Sequence, residues 1–348
     1  MSITWTELQP IDTNSHTWSA IAMSSSGLIL VACSPYDGVF KSIDGGVTWS
    51  DITPSGMGDR NWTTIDISED GQVIFAGMYQ APPDGICVIS LDGGATWIID
   101  KSPPDSNWYL SLQVSGDGTT LIAANSFYQY ISTNYGTSWT QINPYGGVAS
   151  SVSNRIYSDG TILLFGGESS KGVRISFDSG ASWTNIAPVA SLSVRQVGMS
   201  DDGQKILVTG YSTPSYHAWY SSNGGSSWTD LTFESEVNWS DASVSPDGSI
   251  MLLGAPTTSK HLYVSYDSAA TWELNNPNAE ASSGSALYAN NDKIYVAFSD
   301  RLWTNIINPN PPSGWGNKID GVVTVGKVNT IAIINLQNIS GVYADMQI

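Results

Sequence analysis

The sequence predicts an all-β fold: a seven-bladed β-propeller closed by its N-terminal strand, with a short C-terminal extension. Three observations carry this expectation. An octet recurs six times at the spacing of a four-stranded blade, a second turn motif lies offset from it, and two half-blades sit at opposite ends of residues 1–306. Residues 1–306 are accordingly expected to form the propeller. Residues 307–348 are expected to form a Pro-rich linker and a β-forming tail for attachment or assembly.

The first octet is Ser42-Ile43-Asp44-Gly45-Gly46-Val47-Thr48-Trp49, and its relatives end at Trp97, Trp139, Trp183, Trp228 and Trp272. Each residue type suits a turn between two strands. The acid or amide at the third position (Asp44, Asp92, Asn134, Asp178, Asn223, Asp267) can accept hydrogen bonds from the turn's own amides. Glycine at the fifth position supplies a positive φ, and the closing Trp can fill the wedge between neighbouring sheets. In the sixth copy Ala269 replaces that glycine, so its turn is expected to be the most strained or distorted.

Between octets, an Asp-Gly or Ser-Gly turn joins two apolar runs, as in Ile67-Ser68-Glu69-Asp70-Gly71-Gln72-Val73-Ile74. This is a hairpin signal. Each unit therefore reads strand A, hairpin, strand B, loop, strand C, octet turn, strand D. A seventh A-B pair lies at residues 286–299, followed by a C-like strand at Arg301–Thr304 without an octet. The missing D strand is expected from Ile3–Leu8, which matches Val47–Ile52 position for position and would cover an exposed edge.

Composition agrees and excludes several functions. Gly, Trp and Tyr number 34, 14 and 16 in 348 residues, with only 13% charged, which favours many short strands and turns over helix. The formal net charge is −18 with 13 Lys plus Arg, too few cations for a nucleic-acid or anionic-membrane surface. Cys33 and Cys87 fall in strands of different repeats and are expected to be free core thiols. No cofactor and no metal site are expected. The N-terminus lacks the pattern of a signal peptide and no apolar stretch could span a bilayer. Location in a virion released by lysis, or in the cytoplasm, is the resulting expectation.

The octets resemble the Asp-box (BNR) repeats of sialidases, xyloglucanase-type glycoside hydrolases, sortilin-like receptors and a photosystem assembly factor. The resemblance covers residues 1–306. It implies a propeller and says little about activity, because the box is a structural turn.

Chain direction alternates within a blade, so the A-B hairpins and octet turns share one face, and the B-C loops and D-A crossovers the other. Propellers resembling this one generally use the second face. The acids of the first face, such as Asp44, Asp70 and Asp201, are read as turn-forming and solubilising. On the second face, Trp18, Trp62, Trp108 and Trp239 each stand nine or ten residues before a hairpin glycine. They are candidate ligand-binding residues, forming a broken ring of indoles, and equally fit a packing role between blades. Tyr36, Tyr79, Tyr128, Tyr211 and Arg60 complete the candidate ligand set, with Phe127, Tyr216 and His217 in the same loops. Aromatic rings among amides and hydroxyls suit sugar recognition.

A sialidase would need an arginine cluster, a Tyr-Glu nucleophile pair and an acid-base Asp. Arg60, Arg195 and Arg301 could reach the second face, and Glu168, Glu234, Glu236, Asp241 and Asp300 are candidate carboxylates. The Arg-Ile-Pro signature of that family is absent, Asn154-Arg155-Ile156-Tyr157 being the nearest approach, and no catalytic residue is assigned. Xyloglucanase-type enzymes use a cleft between two propellers, whereas this chain encodes one. Beyond the Pro-rich segment 308–314, two related units, Lys327–Ile333 and Asn338–Ala344, resemble short repeats of tailed-phage structural proteins. Such a segment suits a partner chain or the propeller's own rim.

The leading expectation is a non-catalytic recognition or adhesion propeller, a virion or assembly component that binds a glycan and reaches a protein partner through residues 307–348. The alternatives are a sialidase-type glycoside hydrolase and a purely architectural protein-docking module.

Overall fold

The computed structural model describes residues 5–8, 17–58, 60–79, 86–104, 109–125, 127–146, 151–156, 159–167, 170–189, 191–212, 215–231, 239, 241–255, 261–274, 284–289, 293–298, 302–306, 318–319 and 322–323. The chain divides into two compact units, Met1–Ile306 and Ile307–Ile348.

The first unit begins with β1 (Trp5–Leu8). Blade 1 follows as β2 (Ala20–Met23), β3 (Leu30–Ser34), β4 (Gly38–Ser42) and β5 (Ser50–Asp51). Blade 2 is β6 (Asn61–Ile67), β7 (Ile74–Tyr79) and β8 (Ile86–Ser90). Blade 3 is β9 (Tyr109–Val114), β10 (Leu121–Asn125), β11 (Gln129–Ser132) and β12 (Thr140–Ile142). Blade 4 is β13 (Ser151–Ile156), β14 (Leu163–Gly167), β15 (Gly172–Ser176) and β16 (Thr184–Asn185). Blade 5 is β17 (Ser193–Met199), β18 (Ile206–Ser212), β19 (Ser215–Ser221) and β20 (Thr229–Asp230). Blade 6 is β21 (Asp241–Val244), β22 (Met251–Ala255), β23 (His261–Ser265) and β24 (Glu273–Leu274). The last sheet of this unit holds β25 (Gly284–Ala289), β26 (Lys293–Phe298) and β27 (Leu302–Ile306), with β1 beside β27. In the second unit, β28 (Lys318–Ile319) pairs with β29 (Val322–Val323).

Within each blade the strands are antiparallel neighbours in chain order. The first strand is innermost, and these strands pack side by side: β2 on β6, β6 on β9, β9 on β13, β13 on β17, β17 on β21, β21 on β25 and β25 on β2. Apolar clusters fill the wedges between blades. One joins Val31 and Val39 of blade 1 to Trp62, Ile65 and Ile74 of blade 2, and another joins Ile175 and Ile186 of blade 4 to Val197, Val208 and Trp219 of blade 5.

The expected architecture is corrected on two points. The expected seven-bladed ring is not what forms: six sheets have the four strands of a blade, and the sheet of β6, β7 and β8 has only three. The cause is one extra residue after its octet. In blade 1, Ile52 N donates to Val39 O and Thr53 Oγ1 accepts from Val39 N. In blade 2 the same bonds run from Lys101 N to Cys87 O and from Cys87 N to Ser102 Oγ. Ser50 to Ile52 spans two steps, whereas Ile98 to Lys101 spans three. The surplus is absorbed by Asp100 in the left-handed region (φ 59°), a bulge that reduces the fourth strand to the isolated bridge Ile89–Ile98. The second point concerns the join. β1 pairs with β27 from Trp5–Asn305 to Leu8–Leu302, but at the outer edge of that sheet. The contact that carries the ring across the join is instead the packing of β2 against β25 and β26, with Leu8 contributing to the core of blade 1.

All six octets form the same turn. In the first, Ser42 Oγ donates to Asp44 Oδ1 (2.8 Å) and accepts from Gly46 N (2.8 Å), while Asp44 accepts from the amide and hydroxyl of Thr48. These bonds hold the carboxyls of Asp44, Asp92 and Asp178 down at about 2, the hydroxyl at the seventh position being the largest cause. In the sixth copy Ala269 takes φ 69°, a strained value for a side-chain-bearing residue, yet its amide still reaches Ser265 Oγ at 2.9 Å. That turn is strained without being distorted. Several octet indoles tie blades together, as Trp97 Nε1 donates to Ile52 O and Trp228 Nε1 to Ile186 O.

At the centre of the octet face the hairpins bond to one another through the main chain. Ser25 N donates to Glu69 O, Glu69 N to Gly116 O, and Asp201 N to Pro246 O. Cys33 and Cys87 are buried and free, and burial pushes the Cys33 thiol up to about 12 and raises that of Cys87. No helix among the described residues is long and apolar enough to cross a membrane.

Candidate ligand-binding face

The face opposite the octets carries the B-C loops and the crossovers. Of its four candidate tryptophans three are described, and they take the packing role between blades rather than that of an exposed indole ring. Trp18, Trp62 and Trp239 are all buried. Trp18 packs edge-on against Phe40 at 6.0 Å, and Trp239 packs against Tyr263 at 5.6 Å. Trp62 donates from Nε1 to Met57 O at 3.2 Å and so props up the crossover that leads into its own strand. The even spacing before each hairpin reflects a repeated wedge between blades. Trp108 lies outside the described residues, as do the side chain of Tyr79 and residues Glu168, Glu234, Glu236, Asp300 and Arg301.

The remaining aromatic candidates stay on the loops. Tyr36 is 65% exposed with φ 68°, and its amide donates to Arg60 O at 2.8 Å, so the first B-C loop is stitched to the next crossover. The bridge Pro35–Asn61 reinforces the seam and brings Tyr36 beside half-buried Arg60. In blade 3 the buried Asn125 Oδ1 accepts from the amides of both Phe127 and Tyr128, fixing a tight loop that leaves Phe127 exposed.

Blade 5 departs from its neighbours. β18 and β19 continue pairing to Tyr211–Tyr216 and Ser212–Ser215, so this hairpin has seven-residue strands where β3 and β4, or β14 and β15, have five. Tyr211 and Tyr216 meet edge-to-face at 5.1 Å. Beside them His217 stacks on Trp219 at 5.0 Å, and its Nδ1 lies 3.1 Å from Asp230 Oδ2. Strand length is legible in the sequence only through pairing register, so this projection was missed.

Among the described residues, two carboxylates of the inner strands, Asp66 and the candidate Asp241, are enclosed. Asp66 accepts from Val114 N in the next inner strand at 2.8 Å, capping an amide on its free edge. Asp241 accepts from Ala242 N, with Gln196 Nε2 3.5 Å away. Burial raises both carboxyls to about 6, opposed by hydrogen bonds and by the charge of Arg155. Neither is placed on the open face. Among the described residues no group of His, Cys, Asp or Glu could hold a metal ion.

No protein-family model matches the chain, and no curated protein is similar to it in sequence. Solved structures do share its fold. The GH74 xyloglucanase from Xanthomonas campestris superposes with a TM-score of 0.70 at 12% identity, covering 90% of this chain and 55% of that one. YCF48 bound to D1 peptide gives 0.65 at 13% identity, covering 88% and 94%. YCF48 from Cyanidioschyzon merolae gives 0.63 at 16%, covering 87% and 98%. The chain therefore spans about half the length of the GH74 enzyme and most of the length of YCF48. At these identities the likeness establishes an all-β propeller.

Proposed function

We propose that the chain is a non-catalytic recognition propeller that binds a carbohydrate on its B-C loop face. The observation that carries this reading is the half-buried, edge-to-face Tyr211–Tyr216 pair on the extended hairpin of blade 5, joined on the same face by the exposed rings of Tyr36 and Phe127. Rings braced by backbone bonds lose little entropy when a sugar stacks on them, and the neighbouring tyrosine hydroxyls can meet sugar hydroxyls. The propeller fold shared with a xyloglucanase supports a glycan as the ligand class, and the fold shared with a peptide-bound YCF48 supports the competing protein-docking reading. The same proposal assigns residues 307–348 to tethering the propeller to a larger assembly, a virion among them.

A glycan array with wild type, Tyr36→Ala and the double variant Tyr211→Ala/Tyr216→Ala tests the reading. Binding that falls at least tenfold in the double variant is expected; an array without any bound glycan would sink it. Release of reducing ends from a bound glycan would replace recognition by a glycoside hydrolase.

A further inference from the structure

The octet face carries an apolar surface that its turn chemistry does not explain. Among the described residues, the strongly exposed large aliphatic side chains lie in blades 1 and 2, with Leu274 of blade 6 and the aromatic Phe177 of the blade 4 octet (54% exposed) as the large apolar groups elsewhere on octets or D strands that exceed half exposure. Ile43 and Val47 of the first octet are 69% and 80% exposed, beside Leu28 of the adjoining hairpin. Gly45 N donates to Leu28 O at 2.9 Å, which holds the two turns together. In blade 2, Leu91 of the octet and Ile98 and Ile99 just after it are each 41% exposed.

Comparison of the repeats shows how unusual this is. The two residues after the octet Trp are Ser50-Asp51, Thr140-Gln141, Thr184-Asn185, Thr229-Asp230 and Glu273-Leu274. Only blade 2 places two isoleucines there, and among the described residues only blade 2 bulges at that point. A bulge re-aims side chains, and an outward apolar pair on an outer edge is what soluble propellers otherwise avoid. The two blades are also locked together beneath the surface. Lys41 Nζ of blade 1 donates to Gly93 O in the octet of blade 2 (2.6 Å), and within blade 2 Gly93 N donates to Gln72 O, which holds that octet on its own hairpin.

Charge identifies the occupant. Asp44, Asp70, Asp92 and Asp100 lie in the same turns as the apolar side chains, against one cation beside Asp100, Lys101, and a nearby Lys41 that is committed to Gly93 O. A second copy of this chain, of net charge −18, would set like charges against each other. A rigid apolar surface within an anionic frame fits a segment of opposite pattern. We propose that the octet side of blades 1 and 2 docks a protein segment in which basic side chains flank apolar ones. The site is independent of the glycan reading, since it lies on the other face of the propeller.

The test uses the full 348-residue chain and three synthetic twelve-residue peptides: alternating Lys and Leu, the same with Glu for Lys, and the same with Ser for Leu. Affinity is read by calorimetry at two salt concentrations, and the footprint by amide exchange. The Lys-Leu peptide is expected to bind at least tenfold tighter than either counterpart and to protect residues 43–47 and 91–99. The variant Ile43→Ser/Val47→Ser/Ile99→Ser, altered only at exposed positions, is expected to lose that preference. Tyr36→Ser/Phe127→Ser, on the opposite face, is expected to keep it. Equal binding of the peptides, or unchanged binding by the triple variant, would overturn the proposal. So would self-association of the wild type that the triple variant abolishes, because the occupant would then be a second copy.

Discussion

Replacing Trp62 with alanine separates a packing residue from a binding residue. The side chain is fully buried among Val31, Val39, Ile65 and Ile74, and its Nε1 satisfies Met57 O. Burial of an indole removes roughly 150–250 Å² from water, worth about 4–6 kcal/mol at about 25 cal/mol per Å². Partial collapse of the cavity brings the expected loss to about 3–5 kcal/mol. Trp62→Phe keeps most of the apolar volume and deletes the donor, for an expected loss of about 1–2 kcal/mol. Urea unfolding followed by circular dichroism measures both, and ligand affinity is compared below each variant's transition. Should Trp62→Ala leave the urea midpoint unchanged while abolishing glycan binding, the inward placement of the indole would be wrong.

Three further outcomes follow from the buried polar groups. The folded carboxyl of Asp66 titrates near 6, above the ordinary value of 3.8, so its contribution to stability is greatest below about pH 4 and declines as pH rises to about 6. That shift corresponds to about 3 kcal/mol, and Asp66→Asn, which keeps an acceptor for Val114 N, should remove this part of the decline. A wild-type-minus-variant difference that stays flat between pH 4 and 7 in urea titrations would contradict it. Ser42→Ala strips the buried acceptor from Gly46 N and should cost about 1–3 kcal/mol, measured by thermal unfolding. Cys33 and Cys87 should resist a thiol reagent in the native protein and react fully in denaturant; rapid native labelling would mean that their strands open readily.

The blade grammar was legible because turns are local. Ser, Asp and Gly at fixed offsets in residues 42–46 dictate their own hydrogen bonds, and the hairpins behave likewise. The three-stranded blade was also written in the chain, as one extra residue between Trp97 and Ser102, but it becomes visible only when D strands are aligned against their bonding partners. The direction of Trp18, Trp62 and Trp239 was not legible. An indole at the start of an inner strand suits a funnel rim and a wedge equally, and the carbonyl of Met57 decides between them for Trp62. The paired Tyr211 and Tyr216 were named from their loop, whereas the length of the hairpin that lifts them depends on register.

The central hairpins pass hydrogen bonds from blade to blade in one rotational sense, from Ser25 to Glu69, from Glu69 to Gly116, and from Asp201 to Pro246. Because the links are made by main-chain atoms, serine, glutamate, glycine and aspartate serve equally well at this position. Proline accepts like the others but has no amide with which to donate onward. Among the described links, the one that reaches blade 6 can therefore go no further, next to the sheet assembled from both ends of the first unit. The wheel has a built-in seam: thermal opening should begin there, and amides of β21 and β25 should exchange before those of β6 and β9.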